Sequence, residues 1–186
     1  SALNAGLIYD NYNDVKYISN LLNAYNELNT SIIQEKIPNN LVSNKIDYYD
    51  FIFKFTNSEL NEDQLLRFSN LTDNLIIVPL KTFKLNNILS NQEILLSEID
   101  LKESHITLDD TYIDNYYLKE LFNNYTHNYK IFKYFELPYD DNTLLTLSNN
   151  KPLLNKYKFD YINIYLFSVS MDLESSNIPI SSSFIP

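Results

Sequence analysis

Glycine is almost missing. The chain of 186 residues has one, Gly6. Phosphate-cradling loops and nucleophile elbows need glycine at several fixed positions, where backbone must approach a phosphate or turn sharply. A Rossmann dinucleotide fingerprint, a P-loop and a G-x-S-x-G elbow are therefore all excluded. Cysteine is absent altogether. That removes disulfides, thiolate zinc sites, iron–sulfur clusters and cysteine nucleophiles, and it fits an intracellular location, cytoplasmic or nuclear. There are two histidines, His105 and His127, with no helical i,i+4 partner. No zinc motif can be built from them, and no metal ion or cofactor is expected.

Positive charge is also short. Lys and Arg number 14 against 24 Asp and Glu, a formal net charge of −10. Phosphate backbones are bound by clustered Lys and Arg, so a direct nucleic-acid role is not expected. A basic protein partner would suit the charge; plain solubility is the simpler reading. Long hydrophobic runs are missing too. The longest reach about six residues, where a membrane-spanning helix needs about 20. No membrane span and no signal peptide are expected.

What the chain does have is a substantial apolar fraction, 45%. That is enough for one core in a chain of this length. The clearest unit runs from Tyr49 to Leu80. It reads as an apolar strand (Phe51 to Phe55), a short amphipathic helix and a second apolar strand (Leu75 to Val78). Asn61 stands three residues before Gln64, a loose capping box, and Glu62 and Asp63 lie in the first turn, where the helix dipole favours acids. Leu65, Leu66 and Phe68 supply the apolar face. The separation of the two strands suits a parallel crossover better than a hairpin.

A similar β–α–β reading applies to the first part of the chain. Ala5 to Tyr9 forms a strand, and Asn13 or Asp14 caps a helix running to about Leu28. Ser31 to Ile37 forms the next strand, and residues 39–47 form a loop. Later strands are read at 105–108, 129–137, 142–147 and 159–169, with a helix from Asp109 or Asp110 to about Tyr125. The expected fold is a single three-layer α/β domain over residues 1–173 with a mostly parallel central sheet, a Rossmann-like layout without a glycine-rich loop. One late strand could be antiparallel. Residues 174–186, rich in Ser and holding two prolines, read as a flexible tail or linker. Together with Ser1 at the other end, this suggests a piece of a longer protein, although processing at Ser1 and a natural terminus at Pro186 are equally compatible.

Two constellations carry chemistry. In a parallel α/β sheet, ligands sit at the carboxyl ends of the strands. Here those ends would present Asp10, Asn57 and Lys81. Such a trio could hold magnesium and a phosphoryl group, or serve a carbonyl substrate. Turn formation and helix capping explain the same residues without a ligand. Response-regulator and phosphatase-like folds use this layout, but the paired acids they need are missing. The second constellation is tyrosine, of which there are 16 and no tryptophan. Tyr48, Tyr112, Tyr116 and Tyr117 offer large apolar faces with polar tips, which suit protein-docking surfaces. Core edges would use them equally well. The acid pairs Asp109-Asp110 and Asp140-Asp141 read as a cap and a turn.

The functional expectation is a non-catalytic protein-interaction module or subunit of a larger assembly. The alternatives are a magnesium-dependent enzyme acting on a small phosphorylated substrate at the strand ends, and a purely structural domain.

Overall fold

The computed structural model describes residues 2–28, 31–41, 46–56, 60–80, 83–85, 94–96, 98–108 and 130–177. The chain begins with β1 (Leu3–Ile8), α1 (Tyr12–Leu28) and β2 (Ile32–Lys36). Next come β3 (Phe51–Lys54), α2 (Glu62–Ser69) and β4 (Asn74–Ile77). A small antiparallel pair, β5 (Phe83–Leu85) and β6 (Ile94–Leu96), stands apart from the main sheet. The remaining strands are β7 (Glu98–Leu108), β8 (Lys130–Phe135), β9 (Thr143–Leu147), β10 (Pro152–Phe159) and β11 (Ile162–Phe167).

The main sheet has the order β2-β1-β3-β4-β11-β10-β9-β7-β8. From β2 to β9 it is mostly parallel, with four parallel pairings out of six. The molecule is thus an α/β domain built on a mixed sheet. The antiparallel part is larger than a single late strand, because β10, β9, β7 and β8 all pair antiparallel. Among the described residues no helix is long and apolar enough to cross a membrane.

Both crossover units form as their patterning requires. β1 and β2 pair in parallel through α1, and β3 and β4 pair in parallel through α2. The α2 start is a true cap: Asn61 is extended and its side chain accepts from the Gln64 backbone N–H at 3.0 Å. The α1 cap lies earlier in the chain than expected. Asn11, not Asn13 or Asp14, folds its side chain over the helix start and accepts from the Asn13 N–H at 3.0 Å. Its own carbonyl accepts from Asp14.

The two helices bury their apolar faces in different clusters. Val15, Ile18 and Leu22 of α1 join Ala5, Leu7 and Val78 in one. Leu65 and Phe68 of α2 join Ile8, Ile52, Leu75 and Ile77 in the other. Alternate residues of β3 divide between them: Phe51 and Phe53 pack against the first, and Ile52 lies in the second. This follows from the period-2 projection of strand side chains.

With glycine so scarce, left-handed backbone falls to other residues. Asn150 and Asp160 adopt φ of 63° and 47°, as does Leu41 at 57°. Asn and Asp tolerate this region through local hydrogen bonding. The single glycine has a packing reason. A methyl group at Gly6 would meet Ile37 Cδ1 and, at 3.0 Å, Ile52 Cγ1.

Residues 174–177, read from the sequence as the start of a tail, are seated along β8. Ser175 and Ser176 are buried, Ser175 O accepts from the Phe132 N–H at 2.8 Å, and Ser176 bridges Ile131. The rest of that stretch and the helix expected over 110–125 lie outside the described residues.

Candidate functional site

The strand order places a reversal between β1 and β3. The chain leaves β1 toward β2 on one side and resumes at β3 on the other. Crevices at such reversals, beyond the carboxyl ends of the strands, are where α/β sheets accommodate ligands. The Phe55 N–H donates to Ile8 O at 2.9 Å and the Val78 N–H to Lys54 O at 3.0 Å, so β1, β3 and β4 end level with one another.

Lys54 is the exceptional residue here. It closes β3 opposite Ile8 of β1 and Ile77 of β4, both members of the α2-side cluster. As the residue two after Ile52, it projects to that same apolar face. Its side chain is only 3% exposed. The ammonium donates to the Thr56 carbonyl at 2.6 Å. Burial lowers its pKa from 10.5 to about 8, and the Asp10 carboxylate opposes part of that shift. Such a lysine is costly to place and is a recognised mark of functional sites.

Asp10 follows β1 and is exposed, with one carboxylate oxygen accepting from Asn39 Nδ2 at 2.9 Å. On the α1 side of the same rim, the Lys36 ammonium lies 4.4 Å from the centre of the Tyr9 ring, which meets Tyr12 edge-on. Farther along, Ser168 follows β11. The register Lys54–Ile77–Leu166 places it two strands from Lys54. Its hydroxyl is fully buried and has no hydrogen-bond partner among the described residues.

Of the expected trio Asp10, Asn57 and Lys81, the structure describes Asp10 alone; Asn57 and Lys81 lie outside the described residues. The lysine it does place beside Asp10 is Lys54, which sequence reading absorbed into an apolar run. A charge inside a strand buried on both faces was the available signal. Among the described residues no three His, Cys, Asp or Glu side chains gather as metal ligands would.

Of the expected docking tyrosines, Tyr112, Tyr116 and Tyr117 lie outside the described residues. Tyr48 is described and is 46% exposed. It sits at the opposite, amino-end rim of the sheet, where side-chain amides and acids tie four strands together. Asp50 Oδ2 accepts from the Asn4 N–H at 2.7 Å, and Asp50 O from Asn74 Nδ2 at 3.1 Å. Asn163 Nδ2 donates to Asn74 Oδ1 at 3.3 Å. Its neighbour Tyr49 is a core residue: fully buried, it donates its hydroxyl to Glu35 Oε2 at 2.9 Å. The Asp140 side of the second acid pair forms the expected turn, accepting from the Asn142 N–H at 2.8 Å.

No protein-family model and no curated protein matches the chain. Solved structures share its fold. A β-galactosidase from the psychrophilic Marinomonas ef1 aligns with 91% of this chain and 27% of its own, at a TM-score of 0.50 and 12% identity. The chain therefore spans about a quarter of that protein. A ThuA-like protein from Parabacteroides merdae aligns with 91% of this chain and 80% of its own, at a TM-score of 0.50 and 11% identity. At these identities the likeness is one of fold alone.

Proposed function

We propose that this chain is a three-layer, Rossmann-like α/β domain that binds a small polar molecule at the carboxyl ends of β1 and β3. The separate clusters of α1 and α2 support the layering, since each helix covers its own apolar set. The observation that carries the ligand reading is Lys54: a buried lysine in register with Ile8 and Ile77, beside a reversal in the order of the described strands where a crevice is expected. A lysine serving only to fill space would be replaced by methionine without desolvation cost. Asp10 supplies a second polar group at the same rim.

The test is thermal melting of the chain against a panel of small carboxylates, phosphates, with and without magnesium, and carbonyl compounds. At least one class should raise the melting temperature of the wild type, and Lys54→Met should abolish that rise while keeping the wild-type circular dichroism. A panel without effect, or one acting equally on both proteins, overturns the reading.

A second reading is a protein-docking module or subunit using the amino-end rim. It is favoured by two exposed aromatic side chains there, Tyr48 and the 86% exposed Tyr161. Asp73, which interacts with the Tyr48 hydroxyl, also accepts from the Asn163 N–H. A pull-down from source extract with wild type and the Tyr48→Ser/Tyr161→Ser variant decides it. A partner retained near one-to-one by the wild type and lost by the variant supports docking; equal retention or none refutes it.

A further inference from the structure

We propose that the α2 side of the sheet binds one water molecule inside the domain, bridging Ser168 Oγ and Asn155 Oδ1. The inference is independent of Lys54 and of the ligand reading above.

The fold brings the two side chains to one place. Asn155 of β10 stands opposite Leu166 of β11, so the two project from the same face of the sheet. Leu166 and Tyr157, the residue two after Asn155, belong to the α2-side cluster. Ser168 lies between Phe167 and Val169, which pack on the α1 side, so its own side chain takes the α2 side. Its N–H donates to Leu153 O at 2.8 Å, which carries the β10–β11 ladder one step past β11. Ser168 and Asn155 are therefore diagonal neighbours, about 7 to 8 Å apart at Cα. The chain leaving β8 is tied to both. The Phe135 N–H donates to Ser168 O at 2.6 Å, and Asn155 Nδ2 donates to Pro138 O at 2.9 Å.

The hydrogen bonding leaves two oxygens over. Pro138 O only accepts, so the amide nitrogen of Asn155 must face it, and that nitrogen also donates to the Tyr157 hydroxyl at 2.9 Å. Asn155 Oδ1 is thereby turned away, and neither it nor Ser168 Oγ has a hydrogen-bond partner among the described residues. Both residues are 0% exposed. A buried polar group left unpaired is costly, and two on one face at diagonal positions are what a single bridging molecule satisfies. Water fits best. It donates one hydrogen to Asn155 Oδ1, which can only accept, and pairs in either sense with the Ser168 hydroxyl. Two polar partners are enough to hold a buried water. Neither group is charged, which disfavours an ion. Phe135, Leu137 and Leu166, of the same buried cluster, add only apolar side chains. With no exposed surface at either residue, a larger molecule has no route in from solvent, whereas water is enclosed as the chain folds.

Two measurements test the proposal. A high-resolution crystal structure of the whole chain should show one ordered water within hydrogen-bond distance of both Ser168 Oγ and Asn155 Oδ1. No density between them, or a direct bond from the hydroxyl to the amide oxygen, overturns it. Thermal melting of Ser168→Ala reads the same site by the sign of its effect. If the hydroxyl holds a water, its removal deletes a hydrogen bond and should lower the melting temperature by about 2 to 4 °C. If the hydroxyl is an orphan in solution, alanine removes its desolvation cost and the melting temperature rises. A rise or no change therefore overturns the proposal. The crystal result stands whether or not the variant folds.

Discussion

Lys54 should leave a signature in the pH dependence of stability that no surface lysine can produce. In the fold its pKa is about 8; in the unfolded chain it returns to 10.5. The unfolded chain therefore holds a proton that the folded chain has released, over the interval between those values. Stability rises with pH wherever the unfolded state binds more protons. The cost of burying the charge is fully present below pH 8 and is relieved as pH climbs toward 10.5. The gap corresponds to about 3 kcal/mol, of which about 2 kcal/mol is recovered between pH 7 and 9.5. For a chain of this size that is about 4 to 8 °C of melting temperature. The phenols of Tyr48, Tyr49 and Tyr157 are shifted upward, chiefly by burial, so they lower stability only as pH passes about 10, above this window. The assay is thermal melting of wild type and Lys54→Met side by side from pH 7 to 9.5. All other titrations are common to both, so the difference curve isolates Lys54. That difference should move by 4 to 8 °C in favour of the wild type, by the arithmetic above (about 2 kcal/mol). A flat difference curve would mean that the amine keeps its full charge in the fold, and the physical basis of the site would fall with it.

Three further outcomes test the fold around the site. Asn61→Ala should cost about 1 kcal/mol in urea unfolding, and Asn61→Asp should keep most of it, because the side-chain oxygen accepting from Gln64 is what caps α2. Gly6→Ala should cost about 1 to 3 kcal/mol by overpacking against Ile37 and Ile52, and adding Ile37→Val, which deletes the Cδ1 atom in the way, should return part of that loss instead of adding to it. Tyr49→Phe should cost about 1 to 3 kcal/mol, because it strips a charged acceptor, Glu35, of its buried phenol donor; an unchanged urea midpoint would show that the bond does not persist in solution.

How much of this could be read from the sequence depended on whether each element carried its own local signal. The β3–α2–β4 unit did. Its strands are short apolar runs, its helix has a period of 3.6, and Asn61 stands where a cap must stand. β10 did not. Pro152 opens it, and Asn155, Lys156 and Lys158 interrupt its apolar pattern, yet Asn155 is buried because its amide donates to Pro138 O at 2.9 Å and to the Tyr157 hydroxyl at 2.9 Å. The turn that joins it to β11 uses Asp160 in left-handed backbone where a hairpin would ordinarily show glycine. Strand order was equally hidden. β11 completes the parallel half beside β4, a pairing across more than eighty residues that no local pattern announces. Lys54 was visible as a residue and missed as a site, because the flanking phenylalanines dominated the reading of the strand.

The scarcity of glycine and the burial of Lys54 bear on one another. At the reversal of a parallel sheet, most α/β domains present backbone N–H groups to their ligands, and the loops that do so require glycine. This chain has its one glycine inside β1, where it is needed to admit Ile37 and Ile52. The loops at the strand ends therefore have no glycine with which to wrap backbone around an anion. Polar function at that rim has to come from side chains, and one of those placed there is an amine whose charge the fold disfavours. A buried positive charge would attract an anionic ligand more strongly than an exposed one, at the cost of its own desolvation. A site built on a neutral nitrogen depends on the lowered pKa. The same desolvation lowers stability at neutral pH, so the pH profile of stability and any ligand-dependent stabilisation that Lys54→Met removes both read the environment of this one amine.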